Sequence, residues 1–304
     1  MTTEMQKPAR VIDAHHHVWD ISANYHPWLS DEPPIPFRYG DYSAIRRNYM
    51  PADYRRDTAG WPVVGSVYVE AEWERSNALG ESRWIAAVAT EQGLPSAVVA
   101  WADLASPDAP ELLANHAAIP IVRGIRHKPT AAATAQEAKR GLPGSMDDPA
   151  WREGYAHLAR NGLSYDLQTP WWHLDALAEL ARDVPGTQII INHTALPSDR
   201  SPEALSGWRK ALELAAAQPN VALKISGIGR PGMPWAEAGN GPIIRDAISI
   251  FGVDRSIFAS NFPVDGLVGD FDTIFSGFLT ATSDMTEADR AKLFHDNAVR
   301  IYRL

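Results

Sequence analysis

Eight short apolar runs, each followed by a longer stretch with helical spacing, constrain this chain more than anything else in its sequence. The runs fall at residues 10–13, 63–70, 97–102, 121–126, 163–168, 188–192, 221–225 and 256–259. Helical patterns occupy 76–92, 109–117, 149–161, 174–182, 202–217, 242–251 and 270–280, with a last one at 287–302. Several open on a cap followed by a first-turn proline, as in Asp148-Pro149 and Ser201-Pro202. Strand then helix, repeated eight times, predicts an α/β protein: a parallel (β/α)8 barrel ringed by helices. An open doubly wound sheet is the alternative, but no Gly-rich phosphate fingerprint follows any run, and the Gly-Ile-Gly of 227–229 lacks the spacing. A length of 304 residues suits one such barrel as a single domain, 1–304.

Composition removes whole classes of function. The formal net charge is −9 and basic residues form no cluster beyond short pairs such as Arg46-Arg47, which disfavours nucleic acid as a partner. Cysteine is absent, so no disulfide framework, thiolate nucleophile or Cys-based zinc site can form. The start, Met-Thr-Thr-Glu-Met-Gln-Lys-Pro, has no apolar core of a signal peptide, and no run approaches membrane-span length. A soluble, cytoplasmic protein acting on a small molecule is expected, its oligomeric state open. With 11 tryptophans, several are expected to line a pocket.

The first run ends in Asp-Ala-His-His-His-Val-Trp-Asp. On a strand, side chains alternate faces, so His15 and His17 project together and His16 points away. Two imidazoles on one face can hold a metal or a water, or bind a substrate oxygen. Residues 21–42 follow, rich in proline and aromatics, and read as an ordered loop over the barrel mouth. Alternation continues in later runs. Val67 and Val69 oppose Glu70 and Glu72; Leu163, Tyr165 and Leu167 oppose Ser164, Asp166 and Gln168; Val221, Leu223 and Ile225 oppose Ala222, Lys224 and Ser226. The apolar sets are expected to pack outward on the helices, and the polar sets to gather at the C-terminal mouth, where barrel enzymes keep their sites. Strand ends then contribute His15, His17, Glu70, Glu72, Arg126, His127, Asp166, Gln168, His193, Lys224, Ser226 and Asn261. Unpaired burial of a charge costs several kcal/mol, so Lys224, Asp166 and Arg126 are read as functional rather than as members of structural ion pairs. His116, His157 and His295 fall in helical patterns and read as packing or surface residues, while His26 and His173 sit in loops that could cover the mouth.

In order, Asp-Ala-His-His-His-Val-Trp-Asp, Tyr-His-Pro-Trp-Leu, Val-Arg-Gly-Ile-Arg-His, Tyr-Asp-Leu-Gln, Ile-Asn-His, Leu-Lys-Ile-Ser-Gly and Ala-Ser-Asn-Phe-Pro-Val resemble the amidohydrolase-2 branch of the amidohydrolase superfamily. The likeness runs from Val11 to the C-terminal Phe-His-Asp-Asn-Ala-Val-Arg-Ile-Tyr and is nearest to the sugar-lactonase group, which includes fuconolactonases and 2-pyrone-4,6-dicarboxylate lactonases. It implies an amidohydrolase-like TIM barrel that opens a sugar-derived or dicarboxylate lactone with an activated water. Such chemistry needs a base, a group for the developing oxyanion and anchors for substrate oxygens. His15, His17, Arg126, His193 and Asn261 are the catalytic candidates; Glu72, Asp166, Gln168, Trp172 (with its neighbour Trp171), Lys224 and Asp265 are the substrate-binding ones. His15 and His17 would ligate a divalent metal such as zinc if the protein uses one.

Two departures stand out. Where the family usually ends its last strand Ser-Asp-Trp-Pro, with the Asp as metal ligand or base, this chain reads Ser260-Asn261-Phe262-Pro263. A neutral amide cannot take a proton and ligates poorly. The fifth run offers Asp166 and Gln168 rather than a His, so three protein ligands are not assured. The proton of the attacking water then passes to His193, His17, Glu72 or Asp265, with His193 favoured. Two other readings stay open: a metal-dependent non-oxidative decarboxylase resembling the aminocarboxymuconate decarboxylases, which Asn261 weakens, and a non-catalytic ligand-binding relative.

Overall fold

A computed structural model describes residues 6–304 of the chain. Eight strands form one sheet in sequence order: β1 (Val11–His16), β2 (Val63–Val69), β3 (Ala97–Trp101), β4 (Val122–Arg126), β5 (Ser164–Leu167), β6 (Ile189–Ile191), β7 (Val221–Ile225) and β8 (Ser256–Phe258). Every adjacent pair is parallel. The seam between β8 and β1 closes just beyond the strand, where His16 bridges to Phe262. There the Asn261 amide donates to His15 O at 2.7 Å and the His17 amide to Phe262 O at 2.7 Å.

The caps read from sequence behave as expected. The Asp148 carboxylate accepts from Ala150 N, and Ser201 Oγ accepts from Ala204 N, opening the helices Pro149–Arg160 and Pro202–Ala216. Two helical spans differ. The one expected from residue 242 starts earlier, as Glu237–Phe251, and carries Pro242 inside it, which removes the bond an N–H there would have made to Ala238 O. The last helix is not continuous: a π turn at Lys292–Asp296 divides Glu287–Ala291 from Asn297–Tyr302. No helix among the described residues is long and apolar enough to cross a membrane.

Two apolar clusters separate the faces of the sheet. Tyr165, Leu167, Val221, Leu223 and Ile225 belong to the large cluster against the helices, as the alternation predicted. Val67 and Val69 do not. They join Ile12, Ala14, Val99, Ala222 and Ile257 inside the barrel, while Tyr68 between them faces outward and donates to Glu81 at 2.7 Å. A parallel strand buried on both sides can be apolar on both, so alternation alone does not say which set faces in.

The barrel floor is plugged by the chain's own end. Ala298, Ile301 and Tyr302 belong to the interior cluster, and Arg303 donates to Gly162 O and Arg123 O at 2.9 and 3.0 Å. Above the plug, Lys224 on β7 reaches Asp166 on β5 at 2.7 Å, and the Tyr302 hydroxyl donates to the same carboxylate oxygen at 2.9 Å. All three are fully buried. Removing one partner of such a pair leaves the other charge uncompensated. We expect Lys224→Met to lose about 3–5 kcal/mol of stability, read as a lower denaturant midpoint at unchanged slope, with much of it regained in Lys224→Met combined with Asp166→Leu.

Candidate active site

A cavity of about 310 Å³ opens at the C-terminal ends of the strands. His17, Arg126, Gln168, His193 and Asn261 line it from the barrel, with Glu72 and Lys128 at the rim. Trp28, Ile35, Phe37 and Arg38 of the 21–42 loop form the opposite wall.

The histidine triplet alternates as a strand does, but a register shift between Asp13 and His16 turns His15 and His17, rather than His16, to the side that Ile12 and Ala14 face. His16 stacks on Tyr54 outside the barrel, with ring centroids 4.3 Å apart. His15 and His17 turn inward until their Nε2 atoms are 3.3 Å apart. His17 Nδ1 lies 2.7 Å from Val69 O. A carbonyl only accepts, so Nδ1 carries the proton and neutral His17 turns a lone pair toward His15. His15 is fully buried and packs against His193 with centroids 4.6 Å apart. Burial is the first cause holding all three imidazoles down, with His17 lowered to about 3. Nearby cations add to it: Lys224 beside His15, Arg126 beside His17, and Arg38 and Arg126 beside His193. At neutral pH these are bases, not cations.

His193 follows β6 in a left-handed conformation (φ 53°), and Glu72 and Asn261 at two other strand ends share it (φ 57° and 58°). For a residue with a side chain this is strained backbone, least so for Asn. Gly227 makes His193's position possible, since a Cβ there would lie 2.5 Å from Nδ1. That Nδ1 sits 3.0 Å from Ser226 Oγ, and in the tautomer where it donates to Ser226, Nε2 is an acceptor for the cavity.

Arg126 is held from behind. Its Nε donates to Glu70 Oε1 at 2.7 Å and its Nη1 to Gln168 Oε1 at 3.3 Å. Burial alone would raise the Glu70 carboxyl, but the charges of Arg126, Arg75 and Lys128 outweigh it and keep the group below the ordinary carboxylate range. Glu72 bridges Lys128 and Arg75, the latter at 2.6 Å. Asn261 Nδ2 donates to Asp265 at 2.6 Å.

Of the residues singled out by sequence, His17, Arg126, His193, Asn261, Glu72 and Gln168 meet at the cavity, with His15 directly beneath. Lys224 and Asp166 do not reach it; they are spent on each other below the site. Asp265 lies behind Asn261. Trp172 is elsewhere: its indole donates to Ala132 O at 3.1 Å, and with Trp171 it lines a separate groove. His26 and His173 support loops by bonds with Ala71 O and Ala132 N, and His127 accepts from Trp151 and Leu104 away from the cavity. Sequence reasoning missed Lys128 and Arg38. Lys128 sits two residues past Arg126, on the same face by strand parity, so a signal existed. Arg38 had none, because only the folding back of the loop brings it to the cavity.

A divalent metal needs about three protein ligands. Among the described residues no group of three His, Asp or Glu side chains is assembled to hold one. Asp166 is committed to Lys224, and position 261 offers an amide whose nitrogen points at Asp265. His15, His17 and His193 pack ring against ring without being arranged around a metal position, so the residues present do not fit a metal.

The chain belongs to the amidohydrolase family (the amidohydrolase-2 branch), whose model matches residues 12–304. It is 41% identical over 294 residues to the uncharacterized protein y4mH of Sinorhizobium fredii, covering 97% of this chain and 98% of that one. It is 30% identical over 305 residues to an L-fucono-1,5-lactonase of Burkholderia ambifaria, covering 96% and 95%. Among solved structures, a zinc-bound amidohydrolase of Burkholderia multivorans superposes with a TM-score of 0.78 at 24% identity, covering 97% of this chain and all (100%) of that one. That likeness shows the amidohydrolase barrel.

His16 allows a test of this burial. Neither ring nitrogen has a partner, and burial takes the group from 6.5 to about 3. The unfolded chain therefore binds a proton below pH 6.5 that the folded chain refuses until about 3, so stability is full above 6.5 and drains as the pH falls. We expect His16→Phe to match or exceed wild-type stability near neutrality, with its advantage growing on acidification by at most about 1.4 kcal/mol per pH unit. Denaturant titrations across that range measure it, and parallel curves for the two proteins refute it.

Proposed function

We propose that this protein hydrolyses a lactone, a cyclic ester of a sugar-derived or dicarboxylate acid, by attack of a water activated by His193. The observation that carries the reading is the neutral His15–His17–His193 cluster, His15 beneath the cavity and the other two lining it beside a fixed guanidinium. Arg126, oriented by Glu70, faces the ring's carbonyl oxygen together with the Gln168 amide. Water lies between His193 Nε2 and the Asn261 side-chain oxygen. As its oxygen bonds to the carbonyl carbon, its proton passes to His193, and the negative charge gathers on the oxygen facing Arg126. Collapse of the tetrahedral adduct breaks the ring C–O bond, and the imidazolium returns the proton to the leaving alkoxide. The product is the open hydroxy acid. A lowered imidazole pKa suits this cycle, because His193 starts unprotonated and becomes acidic enough to give the proton back.

The L-fucono-1,5-lactonase relative supports a lactone as the substrate class. A decarboxylase of the same branch would need the metal set that position 261 and Asp166 do not supply. A lactone panel followed by acid release with a pH indicator tests the proposal. His193→Ala is expected to lose about 10²–10⁴-fold in kcat with its melting temperature little changed. Full turnover in that variant, or no turnover of any lactone by the wild type, sinks the assignment.

A further inference from the structure

One buried carboxylate beside the cavity takes no part in the chemistry above. Asp265 lies on the short turn Val264–Leu267 after β8 and is 1% exposed. Its Oδ1 accepts from Asn261 Nδ2 at 2.6 Å, from the Tyr39 hydroxyl at 3.0 Å and from Arg38 Nη2 at 3.2 Å. The last two donors come from the 21–42 loop, and Arg38 also reaches Gly227 O at 3.1 Å, beside the His193 ring.

A primary amide can present either its NH2 or its oxygen to a cavity. A carboxylate beside it removes the choice, since it can only accept. With Nδ2 held by Asp265, Asn261 turns Oδ1 to the cavity wall it lines, and no described side chain or backbone group donates to that oxygen. An oxygen there takes a hydrogen from water. A water that gives one hydrogen to Asn261 and the other to His193 has its lone pairs free for the carbonyl carbon. The reversed amide would donate into a lone pair and blunt the nucleophile.

We propose that Asp265 is a positioning residue for the attacking water, acting through Asn261, and that Arg38 and Tyr39 hold it in place. Docking of the loop thereby completes the water site as well as the cavity wall. This rests on the lactonase reading. It differs from a plain staple between loop and barrel, in which the carboxylate serves only Arg38 and Tyr39.

An exchange of the pair separates the two. Asn261→Asp alone sets two carboxylates against each other, and Asp265→Asn alone frees the amide to turn; each is expected to lower kcat by about 10-fold or more with KM within about twofold. Combining Asn261→Asp with Asp265→Asn restores an amide-to-carboxylate bond of reversed polarity, again leaving an acceptor toward the water. That protein is expected to exceed Asn261→Asp in kcat by about 10-fold. Tyr39→Phe, which takes one hydroxyl from Asp265 and lies outside the cavity lining, is expected to lower kcat without raising KM. If the doubly exchanged protein is no faster than the slower single variant, or Tyr39→Phe changes only KM, the role is overturned and the staple remains. If the wild type opens no lactone, the function falls and this role with it; if the wild type is active and no rescue is seen, this role alone falls.

Discussion

The seam between β1 and β8 is the contact on which the site depends. Its centre is the Asp13 carboxylate, fully buried, which accepts from Ser260 N and Oγ at 2.8 and 2.6 Å, from the Tyr54 hydroxyl at 2.8 Å and from the His15 amide at 3.3 Å. Burial still pushes its pKa up, so those donors offset the desolvation only in part. The geometry explains the expense. One carboxylate ties the strand end that carries His15 and His17 to the strand end that carries Asn261, and the backbone bonds beside it continue the join. A barrel open at this edge would keep its helices and lose its active site.

Electrostatics inside the barrel follow from that closure. The interior brings Lys224, Arg126 and Arg38 near three imidazoles, and each cation has its own carboxylate: Asp166, Glu70 and Asp265. The cations are therefore stable where they are, and the histidines, lacking carboxylate partners, remain neutral. Basic imidazoles and charged guanidiniums coexist only because the carboxylates stand behind the cations and away from the rings. A carboxylate at position 261 would alter that balance, and this chain has an amide there.

How much was legible beforehand varied with the range of the interaction responsible. Eight units of strand and helix could be read because period and caps are local. His15 and His17 on one face followed from strand geometry, as did Arg126 and Gln168 at strand ends. Lys224 and Asp166 illustrate the limit. Each lies on the face that points into the barrel, but their depth along the barrel axis depends on the stagger of the strands and on the plug formed by Tyr302, which no local pattern reports. Val67 and Val69 were assigned to the wrong side for a related reason: in a strand covered on both faces, apolar character does not distinguish inside from outside. Trp172 looked like a stacking platform because aromatics after a strand often line a mouth, yet its indole is drawn to Ala132 O on the neighbouring loop.

The sequence by itself determined the eightfold repeat, the parallel barrel it implies and the residue types available at each strand end, since hydrophobic period, turn chemistry and caps act within a few residues. Tertiary structure alone decided which of those residues share a cavity. The approach of His15 to His193, of Arg38 to Asp265 and of the C-terminal Tyr302 to Asp166 is set by barrel closure and by the fold-back of the 21–42 loop, and the bonds of Tyr302 and Arg38 join positions 136 and 227 residues apart.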